Sequence, residues 1–196
     1  MNLDDDQVLI KKILAGKKSS FEELMKKYNK RIFGYVYRMV KDEEVAVELT
    51  QEFFVKIYNV LHKYNFEYKF CTWAYRICYN MVIDHVRKRQ AYVESLDSDT
   101  FTDRQLVESE NYVNESGIDD LVKEEIREYT WKVVDRIPLK YRELILLRYL
   151  QELKYDEIAE VTEIPVGTVK NRIFKAKEML KQELEKDGVF KRFNDS

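Results

Sequence analysis

The sequence predicts an all-α protein of two small helical domains joined by a flexible acidic linker. Three observations carry this expectation. Among 196 residues there are only 5 Gly and 2 Pro, so helix breakers are scarce. Apolar residues recur at i, i+3 and i+4 through two long stretches, while strand-type alternation is rare. Between those stretches, residues 91–120 carry nine acids against the single Arg104. That segment, AYVESLDSDTFTDRQLVESENYVNESGIDD, has too few apolar side chains to offset the entropy of ordering it. Residues 1–90 sum to +5 and residues 121–196 to +1, so the acidity behind the formal net charge of −2 is concentrated in the linker. With 45% hydrophobic residues, each flank can bury a core of its own.

The first domain, residues 1–90, is built from amphipathic helices. FEELMKKYNKRIFGYVYRMV repeats apolar residues at Phe21, Leu24, Tyr28, Ile32, Tyr35, Val36 and Met39. AVELTQEFFVKIYNVL does so at Ala46, Leu49, Phe53, Ile57 and Leu61, with Glu48, Gln51 and Glu52 outside the apolar stripe. HKYNFEYKF then sets Tyr64, Phe66, Tyr68 and Phe70 between polar residues. It reads as a short strand or a loop whose rings anchor in the core, or as a stacking surface for unpaired bases. A third helix spans about Cys71 to Gln90. Tyr75, Cys78, Val82 and Val86 mark its apolar side, and Arg76, Asn80, Asp84 and Arg87 a polar stripe. Its closing Arg87-Lys88-Arg89 suits the negative end of a helix dipole as well as it suits nucleic acid.

The second domain, residues 121–196, begins with Trp131, Val134 and Ile137, followed after Pro138 by Leu144, Leu147 and Leu150. KYDEIAEV is a short helix with Tyr155, Ile158, Ala159 and Val161 inward, and Asp156 and Glu157 at its N-terminus where the dipole favours them. A turn at residues 162–164 and a helix-starting Pro165 follow, the pattern of a helix-turn-helix. On the last helix, Val169, Ile173, Ala176 and Leu180 fall within an arc of about 60° at 100° per residue. Thr168, Asn171, Arg172 and Lys175 share a separate arc of about 100°. Arg and Asn bond base edges bidentately, and Thr meets a thymine methyl or a phosphate. Lys170 and Lys177 flank this face and suit phosphates, which position a helix without specifying sequence.

Other classes find little support. There is no Gly-rich phosphate loop, no GxSxG, and no carboxylate or histidine set at catalytic spacing, so no catalytic residue and no cofactor are expected. Cys71, Cys78, His62 and His85 lack the paired spacing of zinc ligands, so no metal site is expected. No stretch is long and apolar enough for a membrane span, and the acidic start MNLDDDQVLIKK is unlike a signal peptide, which predicts a cytoplasmic protein with no direct membrane insertion.

Taken together, ELTQEFFVKIY, FCTWAYRICYNMVIDHVRKR, the acidic linker and IPLKYRELILLRYLQELKYDEIAEVTEIPVGTVKNRIFKAKEML resemble the extracytoplasmic-function group of sigma-70 factors over nearly all of residues 10–185. The resemblance implies a bacterial transcription initiation factor that binds core RNA polymerase and directs it to promoters. In this group the first domain is sigma region 2, which meets the β′ coiled coil of the polymerase through the LTQE helix, here Glu48, Gln51, Glu52 and Phe53. The loop before FxTW and the helix after it read and melt the −10 element. This implies Asn65, Phe66, Glu67, Tyr68 and Lys69 for capture of an extruded base, and Asn80, Asp84, Arg87 and Lys88 for neighbouring DNA contacts. Extrusion costs a few kcal/mol, so the opened strand must be bound to offset it. The second domain is sigma region 4, which meets the β flap and reads the −35 major groove, implying Thr168, Lys170, Asn171, Arg172 and Lys175. The linker is expected to thread a basic polymerase cleft and to discourage DNA binding by the free chain, and an anti-sigma factor is the expected inhibitory partner. Two features depart from the group: Glu163 stands where a turn glycine is usual, and the NFEYK loop is bulkier and more aromatic. A free-standing helix-turn-helix regulator accounts for residues 131–185 but leaves LTQE, FxTW and the linker without a role. A helical scaffold without DNA contact explains neither motif set.

Overall fold

The computed structural model describes residues 3–96 and 129–186, with the backbone alone for residues 3, 4 and 90–96. The linker acids beyond Leu96 lie outside the described residues. Helices α1 (Leu3–Leu14), α2 (Ser19–Val40), α3 (Glu43–Val60) and α4 (Phe70–Leu96) form an N-terminal bundle. A second unit holds α5 (residues 129–134), α6 (Leu139–Ile145), α7 (Tyr155–Thr162) and α8 (Val166–Lys186). There is no strand among the described residues. None of the described helices is long and apolar enough to cross a membrane.

Each bundle helix buries the stripe its spacing predicts. On α2, Leu24, Tyr28, Ile32, Tyr35, Val36 and Met39 are all buried, and α1, α3 and α4 pack around that helix. Gly16, at φ +91°, makes the left-handed turn out of α1 at no steric cost. Helix α2 ends at Lys41, also left-handed, whose amide donates to the Tyr37 carbonyl at 2.7 Å. Asp42 then accepts from the Val45 amide at 3.2 Å and opens α3 as its N-cap. Asp6 is buried where α1 meets α2, held by the Tyr28 hydroxyl at 2.6 Å and the Lys27 ammonium at 2.5 Å. Helix α4 runs six residues past its expected end at Gln90.

In the second unit α6 continues into a π-helical turn, Leu146–Leu150, in which the Gln151 amide donates five residues back to the Leu146 carbonyl. The wider turn brings both Leu146 and Leu147 fully into the core, while Leu150 is only half-buried. π turns of this kind tend to mark functional positions, and here the turn delivers Gln151 to the other unit.

The two units are packed together, with α4 against α7 and α2 against the π turn, and their buried side chains form one continuous cluster. Gln151 is the buried centre of the contact. Its side-chain amide donates to the Arg31 carbonyl at 3.0 Å, its own carbonyl accepts from the Arg31 guanidinium at 3.0 Å, and its side-chain oxygen accepts from the Tyr75 hydroxyl. The Lys41 ammonium donates to the Asp135 carbonyl at 2.7 Å at the other end of α2.

Candidate nucleic-acid interface

The helix-turn-helix is assembled by local bonds. Helix α7 starts where Glu157 reaches back to accept the Lys154 amide at 2.7 Å, the acid half of a capping box. Thr162 closes it by donating to the Ile158 carbonyl at 2.7 Å. Glu163 follows at φ +58°, ψ +26°, so the left-handed turn that glycine usually fills is held here by a side-chained residue. Helix α8 begins with the Thr168 and Val169 amides donating to the Pro165 carbonyl at 2.8 and 3.0 Å. Val169, Ile173 and Ala176 are buried as the periodicity predicts, and Leu180 half-buried.

Lys170, Asn171 and Lys175 are exposed on α8, whereas Thr168 and Arg172 are half-buried at the edge of that face. Phe174 is 62% exposed beside them. Sequence reasoning passed over it, although at 100° per residue it falls about 130° from the centre of the buried stripe. Its position there was the available signal. A cleft of about 280 Å³ lies between Arg148, Lys154, Tyr155, Asp156 and Lys170, adding cations next to the first turns of α8.

In the bundle, Glu48, Gln51 and Glu52 lie together on the exposed side of α3. Phe53, expected with them, is 2% exposed and packs edge-to-face on Phe54 at 5.0 Å, so it fixes the helix from beneath and presents no surface. The 64–69 segment is a loop with no strand, and Phe70 opens α4. Tyr64 and Phe70 are buried anchors whose rings pack at a tilt against Trp73. Asn65 and Glu67 form a local turn, with the Glu67 amide donating to Asn65 at 3.0 Å. Phe66 is half-buried and Tyr68 is 57% exposed. Helix α1 braces this loop: the Gln7 side-chain amide donates to the Phe66 carbonyl at 2.8 Å and Lys11 lies over the Phe66 ring at 5.5 Å.

On α4, Arg76, Asn80, Asp84, Arg87 and Lys88 are all exposed. Region-spanning carboxylates face part of this surface. Lys69 pairs with Glu157, and Arg76 with Glu163. The hydrogen bond to Glu157 raises the Lys69 pKa. At Glu157 burial works in the opposite sense, but the Lys154 amide and Lys69 outweigh it and hold the carboxyl below its usual range. Glu143 is buried 3.4 Å from the Tyr79 hydroxyl. Burial pushes its carboxyl up, with the Arg172 and Arg87 guanidiniums pulling it partly back, so one buried acid sits in the field of cations from both units. Burial also raises the thiols of Cys71 and Cys78, which are free. Among the described residues no group of three or more His, Cys, Asp or Glu is placed to hold a metal ion.

The chain matches the family models for sigma-70 region 2 over residues 24–92 and sigma-70 region 4 over residues 127–180. It is 32% identical over 183 residues to the ECF RNA polymerase sigma factor SigW of Bacillus subtilis, covering 89% of this chain and 94% of that one. It is also 32% identical over 185 residues to the RNA polymerase sigma-H factor of Pseudomonas aeruginosa, with 93% and 95% covered. The fold is similar to that of CnrH, solved in complex with the cytosolic domain of CnrY, at a TM-score of 0.67 and 18% identity, covering 93% of this chain and 99% of that one. A comparable likeness, TM-score 0.66 and 18% identity over 84% and 96%, holds for the sigma factor RpoE solved with the anti-sigma factor NepR from Bartonella quintana. Because the similarity to SigW and sigma-H runs through both helical units, the reading as an isolated helix-turn-helix regulator is set aside. The chain belongs to the extracytoplasmic-function sigma factors of the sigma-70 family, and is an RNA polymerase sigma factor.

Proposed function

We propose that this sigma factor reads a −35 element with Thr168, Lys170, Asn171, Arg172 and Lys175 on α8. It reads and holds a melted −10 element with the 65–69 loop and with Asn80, Asp84, Arg87 and Lys88 on α4. Glu48, Gln51 and Glu52 on α3, seated on the buried Phe53, meet the β′ coiled coil of core polymerase, and the second unit meets the β flap. The observation that carries the reading is the division of α8 into a buried apolar seam and an opposite face with exposed Lys170, Asn171 and Lys175. That is the arrangement a major-groove helix needs.

Phe174 extends the α8 face with apolar surface suited to a thymine methyl. Melting is driven by binding: a flipped base costs a few kcal/mol, and the exposed ring of Tyr68 with the cations of α4 supplies stacking and charge for the opened strand. An anti-sigma factor is the inhibitory partner, supported by the solved complexes of CnrH with CnrY and of RpoE with NepR. The linker acids act in the basic polymerase cleft. The factor works in the cytoplasm with polymerase and performs no catalysis of its own.

The test is run-off transcription by core polymerase on a promoter library, with and without the protein, followed by sequencing of the DNA upstream of each start. Starts that depend on the protein and share two spaced elements are expected. A footprint by the protein alone, with no dependent start, would overturn the reading.

A further inference from the structure

Helix α1 carries no site residue in the assignments above, yet two of its side chains end on the 65–69 loop. The Gln7 side-chain amide donates to the Phe66 carbonyl at 2.8 Å, and the Lys11 ammonium lies 5.5 Å from the centre of the Phe66 ring. Positions 7 and 11 are four apart and so share one face of the helix. The adjoining face is anchored independently: Asp6 is buried against the Tyr28 hydroxyl and the Lys27 ammonium, and Ile10 is fully buried. The rotation and register of α1 are therefore set by α2, and Gln7 is delivered to the loop from a fixed base. Inside the loop, Asn65 and Glu67 are tied to each other by two bonds of 2.9 and 3.0 Å, and the Tyr64 hydroxyl donates to the Tyr68 carbonyl at 2.5 Å. Phe66 packs inward between them, its ring 5.0 Å from that of Tyr64, while Asn65, Glu67 and Tyr68 stay exposed. Phe66 is thus the pivot on which three outward side chains are mounted, and Gln7 holds that pivot by its backbone.

We propose that Gln7 is a positioning residue for base selection at the −10 element. It touches no DNA; by fixing the Phe66 carbonyl it sets where Asn65, Glu67 and Tyr68 meet the extruded base. Lys11 supports the same pivot from the face of the ring. The inference rests on the assignment of the 65–69 loop to base capture. A flipped base is chosen by hydrogen bonds to its edge and by stacking, and both need the selecting groups held within about 0.5 Å of the productive geometry. A short exposed loop has few buried contacts of its own with which to keep that tolerance. The neighbouring helix supplies it through one neutral hydrogen bond, which leaves the charge of the strand-binding surface unaltered.

The experiment uses holoenzyme assembled from core polymerase and the full chain, in run-off transcription on promoters randomised through the −10 and −35 elements. Gln7→Met keeps the length and helix propensity of the side chain and removes the donor. Gln7→Glu keeps the shape and turns an acceptor toward the carbonyl. Both should lower the preference for the favoured base at one −10 position by about 2- to 12-fold, the worth of one net hydrogen bond, and leave the −35 preference unchanged. The loop variant N65A/E67A defines that position and should relax the same base. A loss of output shared equally by all promoters in the Gln7 variants would mean a role in folding alone and would overturn the proposal. So would an unchanged preference in the Gln7 variants at a position that N65A/E67A relaxes, a result that leaves the loop assignment standing. If N65A/E67A itself relaxes no −10 position, the loop assignment falls, and the role of Gln7 with it.

Discussion

Helices α4 and α8 are built alike, each with a buried apolar seam and a polar face, but their surroundings differ. The outermost residues of α8, Lys170, Asn171, Phe174 and Lys175, face solvent. The α4 surface is met across the domain contact by Glu157 and Glu163, with the buried Glu143 in the field of Arg87. The proposed −35 reader is open in this arrangement and the proposed −10 reader is partly occupied. A duplex site can be inspected before melting, whereas a strand-binding surface has no ligand until the DNA opens, and an unpaired cationic surface would meanwhile attract any nucleic acid.

The largest effect that would break this contrast is Leu147→Ala. Leu147 is fully buried, and truncation should cost about 2–5 kcal/mol. Because the buried cluster is continuous between the units, denaturant unfolding should show both losing structure together. Two separate transitions would mean that docking adds nothing to either unit. Next, Arg172→Ala should remove about 1–3 kcal/mol of discrimination at one base pair, read as a relaxed −35 preference in the promoter library. Lys170→Ala should instead weaken all sequences alike and reduce the salt slope by about one. Tyr75→Phe sharpens the contrast at its centre. It leaves the Gln151 side-chain oxygen without the Tyr75 hydroxyl and should weaken docking by about 1 kcal/mol, seen as a larger mean distance between fluorophores placed on the two units.

Acidity gives a smaller effect of opposite signs. The Glu143 carboxyl is raised by burial, so its charged form opposes packing at neutral pH, and docking should strengthen as pH falls through its folded value, above the ordinary 4.3 or so. Glu157 is depressed in the folded chain. Its contribution is complete above the unfolded carboxyl value and lost as pH falls through the lower folded one. Docking measured by the same fluorophores should therefore rise and then fall on acidification, and Glu143→Gln should remove the rise.

How much of this was legible in the sequence follows from where the signals lie. The buried seam of α8 and the turn before it are local, encoded by a 3.6-residue period and a proline, and they were readable residue by residue. The Phe53 ring was misplaced because a motif names neighbours without their direction, although its place in the apolar stripe with Leu49 and Ile57 pointed inward. The end of α4 at Leu96 was hidden by the onset of linker composition. The docking of the two units left no periodic trace: Tyr75 meets Gln151 across 76 positions, Arg31 meets it across 120, and Lys69 and Glu157 across 88. Taken alone, Tyr75 reads as part of an apolar stripe and Arg31, Lys69, Gln151 and Glu157 as polar positions, and none of them names its partner.

Glu163 has a genetic consequence. In its left-handed conformation a side-chained residue carries strain of about 1–2 kcal/mol, and its carboxylate pairs with Arg76. Glutamate and glycine codons differ by a single base, so one point mutation would relax the turn and remove this ion pair across the domain contact in the same step.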